Sequence, residues 1–333
     1  MINRKIFQNK SILITGATGS FGNALIDYFL KKKINLKKIV IYSRDELKQY
    51  QVQERLKNQD HSKLRYFLGD VRDKDRLRLA LDGIDFVVHA AALKQVPAAE
   101  YNPFEFIKTN IMGAQNIIEC CLQSKVKRIV ALSTDKASSP VNLYGATKLC
   151  SDKLFTSAQN ISGKRDIKFS VVRYGNVFGS RGSVFPRFMS LAKSEPFPVT
   201  DPNMTRFNIS LSQSVEFVLN SLSNQKGGEI FVPKLKSFRI IDLCKSIDSK
   251  RKIKIIGIRP GEKIHEELIS KVESSETIDC GDYYVILPHK FTDTKNTYRN
   301  IKNKYVSKNF HYTSEINKDY LSINELSKIV QEM

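Results

Sequence analysis

The chain has 333 residues, of which 41% are hydrophobic, and it contains 16 glycines and 10 prolines. This is the composition of a globular protein with room for one large core or two unequal ones. The net charge of +20 comes from lysines spread along the whole sequence. Because no RNA-binding aromatic strand or helix-turn-helix pattern accompanies them, we expect no nucleic-acid binding and a basic surface that attracts an anionic small substrate.

Targeting, membrane and metal signals are not found. The first apolar run, Ser11 to Ile14, is too short for a signal-peptide core or a membrane span, so we expect a cytoplasmic protein without membrane insertion. The five cysteines show no CxxC spacing and the five histidines are scattered, so we expect neither a disulfide framework nor a metal site.

The first half of the chain alternates short apolar runs with segments of helical periodicity. The apolar runs are mostly continuous, as expected for parallel strands that helices cover on both faces. We predict strands over Ser11–Thr15, Lys38–Tyr42, Leu64–Leu68, Asp85–His89, Arg128–Ser133 and Lys168–Val172. We predict helices directly after the first strand and over Leu47–Lys57, Lys74–Leu81, Pro103–Gln123 and Tyr144–Asn160. These repeated units indicate an α/β fold, a Rossmann-like doubly wound parallel sheet.

After about Asn176 the pattern loosens. Glycine, proline and serine become frequent, as in Gly179–Gly182 and Pro196–Pro202, and the elements become shorter. We predict a smaller, discontinuous α/β cap over the carboxyl edge of the sheet, with some of its residues returning to the sheet.

A glycine-rich turn lies between the first strand and the first helix. Glycines there permit a tight turn, close approach of a pyrophosphate and close helix–strand contact, and the helix N-terminus favours a bound anion. The alternative is a purely structural turn. The turn predicts a dinucleotide site that comprises Gly16, Thr18, Gly19, Ser20, Phe21 and Gly22.

The end of the second strand bears on which dinucleotide binds. An NAD site usually places a carboxylate there for the ribose hydroxyls. Here Ser43 and Arg44 occupy that position, and a guanidinium suits a 2′-phosphate. This favours NADP over NAD, although Asp45, one residue further on, leaves NAD open.

Two further strand ends suit a nucleotide. Asp70 and Val71 follow the third strand, where the carboxylate can reach the adenine amino group or, alternatively, cap the next helix. Ala90 and Ala91 follow the fourth strand, where small residues let the backbone lie against a cofactor. We therefore interpret residues 1–175 as mainly the NADP-binding Rossmann domain and residues 176–333 as mainly the substrate-binding domain, with an approximate boundary.

Tyr144 and Lys148 begin the helix after the fifth strand and, four residues apart, share a face. A tyrosine needs a lowered pKa to exchange protons near neutral pH, and a nearby ammonium and the positive nicotinamide both favour the phenolate. Such a pair also occurs on solvated helix faces, but its place downstream of the glycine turn favours catalysis.

Longer motifs resemble one branch of the extended short-chain dehydrogenase/reductase superfamily. They are Leu93-Lys94-Gln95-Val96-Pro97, Ser133-Thr134-Asp135-Lys136-Ala137, Arg173-Tyr-Gly-Asn176-Val-Phe-Gly179-Ser-Arg181-Gly182-Ser183, Met204-Thr-Arg206-Phe207 and Arg259-Pro-Gly-Glu262-Lys263. The resemblance is to the UDP-N-acetylglucosamine 4,6-dehydratases, in particular the C5-inverting enzymes of pseudaminic acid biosynthesis, and it covers essentially the whole chain.

The resemblance implies a lyase built on a dehydrogenase frame. Tyr144, with Lys148, removes the C4 hydroxyl proton while hydride leaves C4 for NADP⁺, and Thr134 binds the C4 oxygen. Lys136 removes the C5 proton, provided that burial and Lys148 lower its pKa, and a protonated Asp135 releases the C6 hydroxyl as water. Hydride returns to C6 and reprotonation from the opposite face inverts C5. The division of acid and base between Asp135 and Lys136 stays open.

The resemblance also implies the substrate contacts. Arg181, Arg206 and Arg259 suit the diphosphate of UDP-N-acetylglucosamine, each with a surface ion pair as the alternative. Asn176 contacts a phosphate or the sugar, and Glu262 contacts the uridine ribose.

Three further expectations concern the surroundings of the site. Lys94 lies at the active-site rim, within reach of cofactor and substrate. Asn110 supports the active-site backbone or makes a contact inside its helix. Relatives are hexamers built from dimers, so we expect a homo-oligomer, a dimer or a hexamer.

Other functions remain to be distinguished. A 4,6-dehydratase/5-epimerase is disfavoured because such relatives tend to carry methionine in place of Tyr144. A retaining 4,6-dehydratase differs only in the face that is reprotonated. From another class, a non-catalytic NADP-sensing protein is disfavoured because such proteins typically lose the Tyr/Lys pair.

Overall fold

The computed structural model describes residues 3–59, 61–180, 182–288, 298 and 304–332. The strands are β1 Ser11–Thr15, β2 Lys38–Ser43, β3 Leu64–Leu68, β4 Phe86–His89, β5 Arg128–Thr134, β6 Lys168–Tyr174, β7 Asn176–Val177, β8 Phe197–Val199, β9 Thr205–Ile209, β10 Ile230–Pro233, β11 Lys236–Arg239, β12 Ile253–Ile255, β13 Glu267–Ile269, β14 Thr277–Asp279, β15 Tyr283–Ile286, β16 Lys304–Tyr305 and β17 Tyr312–Thr313.

The helices are α1 Ser20–Lys31, α2 Glu46–Leu56, α3 Lys74–Ala80, α4 Val96–Tyr101, α5 Pro103–Phe106, α6 Gly113–Leu122, α7 Leu143–Ala158, α8 Val184–Met189, α9 Leu211–Asn224, α10 Ile240–Ile247 and α11 Ile323–Gln331. Within the described ranges, none of these helices is long and apolar enough to cross a membrane.

One large sheet dominates the fold. Its described strands lie in the order β16-β14-β15-β10-β6-β5-β4-β1-β2-β3. Neighbouring strands pair in parallel along the run β10-β6-β5-β4-β1-β2-β3. At the other edge, β15, β14 and β16 pair antiparallel. The order β3-β2-β1-β4-β5-β6 is that of a Rossmann fold, so the predicted fold class is confirmed.

Both faces of this sheet are buried, which explains the continuous apolar runs. Along β1, Ile12 and Ile14 pack into one core cluster with Val218 of α9. Leu13, between them, packs into the opposite cluster with Phe155 of α7. Successive side chains of a strand point to opposite faces, so β1 contributes to both cores.

The C-terminal half both covers the sheet and adds to it. Strands β10, β14, β15 and β16 join the large sheet, while β7, β8, β9, β11, β12, β13 and β17 form three small sheets. A separate apolar cluster, with Phe178, Phe188 and Phe238 among its members, fills this part of the molecule. The division of the chain into a cofactor part and a substrate part stays a prediction.

The helix predicted over Pro103–Gln123 is interrupted. A π-helical segment, Ile107–Met112, lies between α5 and α6. Asn110 sits in this segment, and its side chain bonds to Leu93 outside the helix. Apolar periodicity cannot reveal such a bulge, because the residues on either side keep the helical spacing.

Candidate active site

The glycine-rich turn leaves space that a side chain would fill. Gly16 has a φ of +65°, and a Cβ there would lie 2.9 Å from the backbone of Ala91. At Gly22 a Cβ would lie 2.4 Å from Cα of Ala17, so α1 begins close against the turn. Gly19 is the N-cap of α1 and provides no capping side chain. The turn therefore fits a pyrophosphate bound at a helix N-terminus.

The remaining residues of the predicted turn site surround an open cavity. Thr18 is buried, and Ser20 and Phe21 are half-buried at the start of α1. Thr18 and Ser20 line a cavity of about 370 Å³ whose wall also includes Lys48 and Arg55 of α2. Asp27 lines the same cavity and pairs with Arg55 at 2.6 Å, so the cavity is polar and its charges are partly paired.

The end of β2 carries a half-exposed cation. Arg44 places Nη1 3.9 Å from a carboxylate oxygen of Asp70, and 54% of its side chain is exposed. The Ser43 hydroxyl accepts a hydrogen bond from Gln49 Nε2 at 3.1 Å. Asp45 caps α2, accepting from the Lys48 backbone N–H at 3.0 Å and from the Lys48 ammonium at 2.6 Å. The Asp45 carboxylate is therefore occupied locally.

Asp70 does not cap the next helix, so that alternative is wrong. Its carboxylate instead accepts from the Arg72 backbone N–H at 2.9 Å and from the Arg72 guanidinium at 2.8 and 3.0 Å. Asp73 is the N-cap of α3, accepting from the Arg76 N–H. Burial raises the pKa of Asp70, but Arg72 lowers it by more, so the pKa lies below its ordinary value. Val71, beside it, is buried.

A buried hydroxyl joins the ends of β1 and β4. Thr15 Oγ1 accepts from the backbone N–H groups of Ala90 and Ala91, both at 3.1 Å. Because the oxygen already accepts two hydrogen bonds, the Thr15 hydroxyl donates its proton to His89 Nδ1, which lies 2.8 Å away. Burial, followed by the charge of Lys148, lowers the pKa of His89 to about 3. The ring is therefore neutral and carries its proton on Nε2.

The loop after β4 is held by Asn110. The Asn110 amide accepts from Leu93 N at 2.9 Å, donates to Leu93 O at 2.9 Å, and donates to Thr147 Oγ1 of α7 at 3.0 Å. Asn110 thus supports the backbone between the cofactor strand ends and α7. Lys94, the next residue along the loop, is exposed.

Asp135 and Lys136 form a short turn at the carboxyl end of β5. Asp135 Oδ1 accepts from the Lys136 ammonium at 3.0 Å and from the Thr134 hydroxyl at 2.9 Å. The Lys136 ammonium also donates to Glu266 Oε1 at 2.9 Å. Burial and the charge of Glu266 raise the pKa of Asp135.

The expected lowering of the Lys136 pKa is not found. Burial lowers this pKa, but Asp135 and Glu266 raise it by more, so Lys136 is an ammonium in the free protein. The causes of this shift do not include Lys148, whose ammonium donates to the carbonyl of Leu132 at 2.8 Å. Sequence reasoning missed Glu266, which lies 130 positions from Lys136.

Arg206 is buried rather than exposed. Its guanidinium donates to the carbonyls of Thr205 and Ile264 at 2.7 and 2.9 Å and to that of Lys263 at 3.1 Å. Its Nε lies 3.5 Å from Glu266 Oε1. In this arrangement Arg206 holds the segment around residue 264 instead of presenting donors to a phosphate.

Tyr144 is brought against the Asp135 turn by close packing of α7. A Cβ at Gly145 would lie 2.3 Å from the carbonyl oxygen of Lys136, so only glycine allows this approach. Burial raises the pKa of Tyr144 to about 12, with Lys136 and Thr134 acting in the opposite direction. The ammonium that favours the phenolate is thus that of Lys136, where we expected Lys148.

Lys148 belongs to a buried polar network that the sequence did not indicate. Burial lowers the pKa of Lys148, opposed by the charge of Asp152. Asp152 accepts from Ser133 at 2.8 Å and pairs with Arg173 at 3.3 Å. Arg173 also pairs with Glu273 at 2.9 Å. This network fixes α7 to β5 and β6.

The other predicted substrate residues are Arg259, Glu262, Asn176 and Arg181. Arg259 and Glu262 form a two-point ion pair, with Nη2 2.8 Å from Oε1 and Nε 3.1 Å from Oε2. Arg259 is half-exposed, so its remaining donors face solvent. Asn176 begins β7, directly after the sheet strand β6. Arg181 lies outside the described residues.

Comparison with known proteins identifies the family of the chain. The sequence matches the family model described as polysaccharide biosynthesis protein over residues 12–288. It is 50% identical to the inverting UDP-N-acetylglucosamine 4,6-dehydratase of Campylobacter jejuni subsp. jejuni serotype O:23/36 over 98% of each chain. It is also 42% identical to the UDP-glucose 4-epimerase of Rickettsia canadensis over 84% of each chain.

Solved structures support the same placement. Pen from Bacillus thuringiensis has a TM-score of 0.89 and 36% identity over 98% of both chains. DesIV, a dTDP-glucose 4,6-dehydratase from Streptomyces venezuelae with NAD and TYD bound, shares the fold with a TM-score of 0.68 and 21% identity over 76% of this chain and 86% of that one. The predicted resemblance is confirmed, and the chain belongs to the polysaccharide biosynthesis protein family.

Proposed function

We propose that this protein is a UDP-N-acetylglucosamine 4,6-dehydratase that inverts C5. The observation that carries the proposal is the Asp135–Lys136 pair beside Tyr144 at the carboxyl end of β5. A dehydrogenase needs a tyrosine and a lysine, whereas an elimination also needs an acid and a base. The half-identical relative of the same name supports the same reaction.

The turn between β1 and α1 suits a nicotinamide dinucleotide, and the end of β2 favours NADP. Arg44 keeps a half-exposed guanidinium there, while the Asp45 carboxylate is occupied by Lys48 and by capping. A 2′-phosphate fits this arrangement better than ribose hydroxyls do. When bound, the dinucleotide accepts hydride from C4 of the sugar and later returns it to C6.

Tyr144 moves the proton of the C4 hydroxyl. Its phenol is buried and near the Lys136 ammonium, so added positive charge in the site lowers a pKa that is otherwise high. Lys148 holds the Leu132 carbonyl and stays close to Asp152, which keeps α7 in place. Thr134, whose hydroxyl contacts Asp135, is placed to bind the C4 oxygen.

One proton transfer prepares the acid and the base together. In the free protein Asp135 is paired with an ammonium at 3.0 Å. Transfer of that proton along the contact gives a carboxylic acid and a neutral amine without changing the proton count. The amine of Lys136 then takes the C5 proton, made acidic by the C4 ketone, and Asp135 protonates the departing C6 hydroxyl. Reprotonation of C5 from the opposite face inverts that centre.

The substrate diphosphate is proposed to lie near Arg259, with Glu262 directed to the uridine ribose. Arg259 has donors to spare beyond its ion pair with Glu262. Arg206 positions the segment beneath them through its three carbonyl contacts. Asn176, Arg181 and Lys94 complete the set proposed from the resemblance. Residues 1–175 are assigned mainly to the cofactor and 176–333 mainly to the substrate.

A homo-oligomer, a dimer or a hexamer, is proposed as well. Tyr101 and Phe104 are 86% and 58% exposed on neighbouring helices α4 and α5, and Met112 nearby is 52% exposed. Large apolar side chains grouped in this way favour a protein–protein contact. Light scattering of the purified protein gives the molar mass that tests this.

Mass spectrometry of the products tests the reaction. Incubation of the protein and NADP⁺ with UDP-N-acetylglucosamine is expected to yield a nucleotide sugar lighter by one water. An isomer of unchanged mass indicates the 4-epimerase activity named for the Rickettsia relative and contradicts the proposal. Unchanged substrate with bound dinucleotide indicates a non-catalytic binding protein and contradicts it also.

A further inference from the structure

Glu266 lies behind the proposed base and has no part in the mechanism described so far. Its Oε1 accepts from the Lys136 ammonium at 2.9 Å, and Asp135 Oδ1 accepts from the same ammonium at 3.0 Å. The side chains of Glu266 and Asp135 are 2% and 1% exposed, whereas that of Lys136 is 26% exposed. Two buried carboxylates therefore hold an amine whose side chain reaches the open side of the site.

The backbone at Glu266 is itself anchored. Glu266 N donates to Ser314 Oγ at 2.9 Å, and Ser314 Oγ contacts Thr205 Oγ1 at 2.7 Å. Strand β13 begins at the next residue and pairs with β17. The backbone that carries the Glu266 carboxylate is therefore held in place by hydrogen bonds and strand pairing. A carboxylate held in this way can orient a flexible lysine side chain.

The charges around Glu266 keep it ionised. The Lys136 ammonium and the Arg206 guanidinium, whose Nε is 3.5 Å from Oε1, are both within ion-pair distance. Lys263 adds a third positive charge nearby. Although burial raises the pKa of Glu266, these cations lower it by more. For Asp135 the balance is opposite, and its pKa is raised.

We propose that Glu266 is the positioning residue of the elimination, which orients the Lys136 amine and stabilises its ammonium as the proton leaves C5. In this step the C5–H bond breaks and an N–H bond forms on Lys136. The C5–H electron pair becomes the C5–C6 double bond, and the C6 hydroxyl leaves as water with the Asp135 proton. Positive charge grows on Lys136 alone, 2.9 Å from a carboxylate that is already in place. The inference rests on the proposed dehydratase function.

The variant Glu266→Gln tests this role because it keeps an oxygen acceptor and removes the charge. We expect kcat to fall by about 10²-fold, the contribution typical of a positioned proton-transfer group, with KM close to that of the wild type. Because oxidation at C4 precedes the elimination, reduced nicotinamide should accumulate in a single turnover of the variant, followed by its near-ultraviolet absorbance.

Two further variants control the experiment. Glu267→Gln makes the same change one residue along, where the side chain accepts from the Ser138 and Ser139 hydroxyls, and its turnover should resemble the wild type. Glu266→Asp keeps the charge but cannot keep the 2.9 Å contact without movement. The Glu266→Asp variant should fold even if Glu266→Gln does not. Its kcat should lie between those of the wild type and Glu266→Gln, and reduced nicotinamide should accumulate in it as well.

Different outcomes would contradict the role of Glu266 and the proposed dehydratase function. If the wild type does not dehydrate UDP-N-acetylglucosamine, the proposed function fails. If the wild type does so and Glu266→Gln turns over at the same rate, the positioning role fails. A variant that loses C4 oxidation as fully as overall turnover, with no build-up of reduced nicotinamide, also overturns it. A folded Glu266→Asp variant in which reduced nicotinamide does not accumulate would also contradict the positioning role.

Discussion

Tyr144 is a buried phenol whose pKa stands at about 12 until positive charge enters the site. The cation that lowers this pKa is Lys136, which pairs with two carboxylates and so offers only part of its charge to the phenol. We therefore propose that proton exchange near neutral pH depends on binding of the oxidised nicotinamide. This ties the first chemical step to cofactor binding, as expected for an enzyme that regenerates its cofactor in each turnover.

Replacing Tyr144 by phenylalanine should abolish most turnover and leave the dinucleotide bound. In the proposed mechanism the phenol moves the C4 proton, so we expect a loss of about 10² to 10⁴-fold in kcat. Turnover by product formation and retained cofactor by absorbance of the purified protein are the two measurements. A rate like that of the wild type would contradict the role.

His89 should make the protein less stable in mild acid. Its pKa is about 3 in the folded protein, against 6.5 for an ordinary histidine, so below pH 6.5 the unfolded chain binds a proton that the folded protein does not. Stability therefore rises with pH between these values, and His89 alone accounts for a loss of about 2 kcal/mol on going from pH 7 to pH 5.

The comparison is with His89→Asn, in which an amide can still contact the Thr15 hydroxyl. Urea unfolding at both pH values should give a smaller pH-dependent loss in the variant. An equal loss in both proteins would show that His89 is not responsible.

At the scale of elements, the parallel strands and the glycine turn could be predicted because their causes are local. A strand buried on both faces must be apolar throughout, and Gly16 must adopt a positive φ in a tight turn. The π-helical segment and the Lys136–Glu266 contact could not be predicted. The first depends on a side chain that leaves its helix for Leu93, and the second joins residues 130 positions apart.

Asn110→Ala tests whether the π-helical segment supports the fold by this contact. The substitution removes three hydrogen bonds and leaves the polar groups of Leu93 without their partner. We expect a loss of about 2 to 4 kcal/mol in the free energy of unfolding, measured with urea. Asn224→Ala is the control, since Asn224 is exposed and its side chain donates to Asn220 one turn earlier in α9, and a change below about 0.5 kcal/mol is expected there. Equal effects of the two substitutions would count against the account.

In the whole molecule, the C-terminal half adds strands to the large sheet and contributes charged side chains to the candidate site. Glu266 and Arg206 come from that half, yet they complete the group of charges around Asp135 and Lys136 at the end of β5. Arg206 was predicted at a phosphate because its motif resembles the family, and only the three-dimensional structure places its guanidinium against backbone carbonyls. The net charge of +20 is compatible with an anionic nucleotide-sugar substrate.

We propose that the protein uses hydride transfer to permit elimination of water from the sugar, with inversion at C5, and a single NMR experiment tests both parts. UDP-N-acetylglucosamine is incubated with the protein and NADP⁺ in D₂O and followed by proton NMR. We expect UDP-2-acetamido-2,6-dideoxy-β-L-arabino-hexos-4-ulose, with deuterium at C5. A D-xylo product would contradict the inversion, and a sugar that keeps its C6 hydroxyl would contradict the elimination itself.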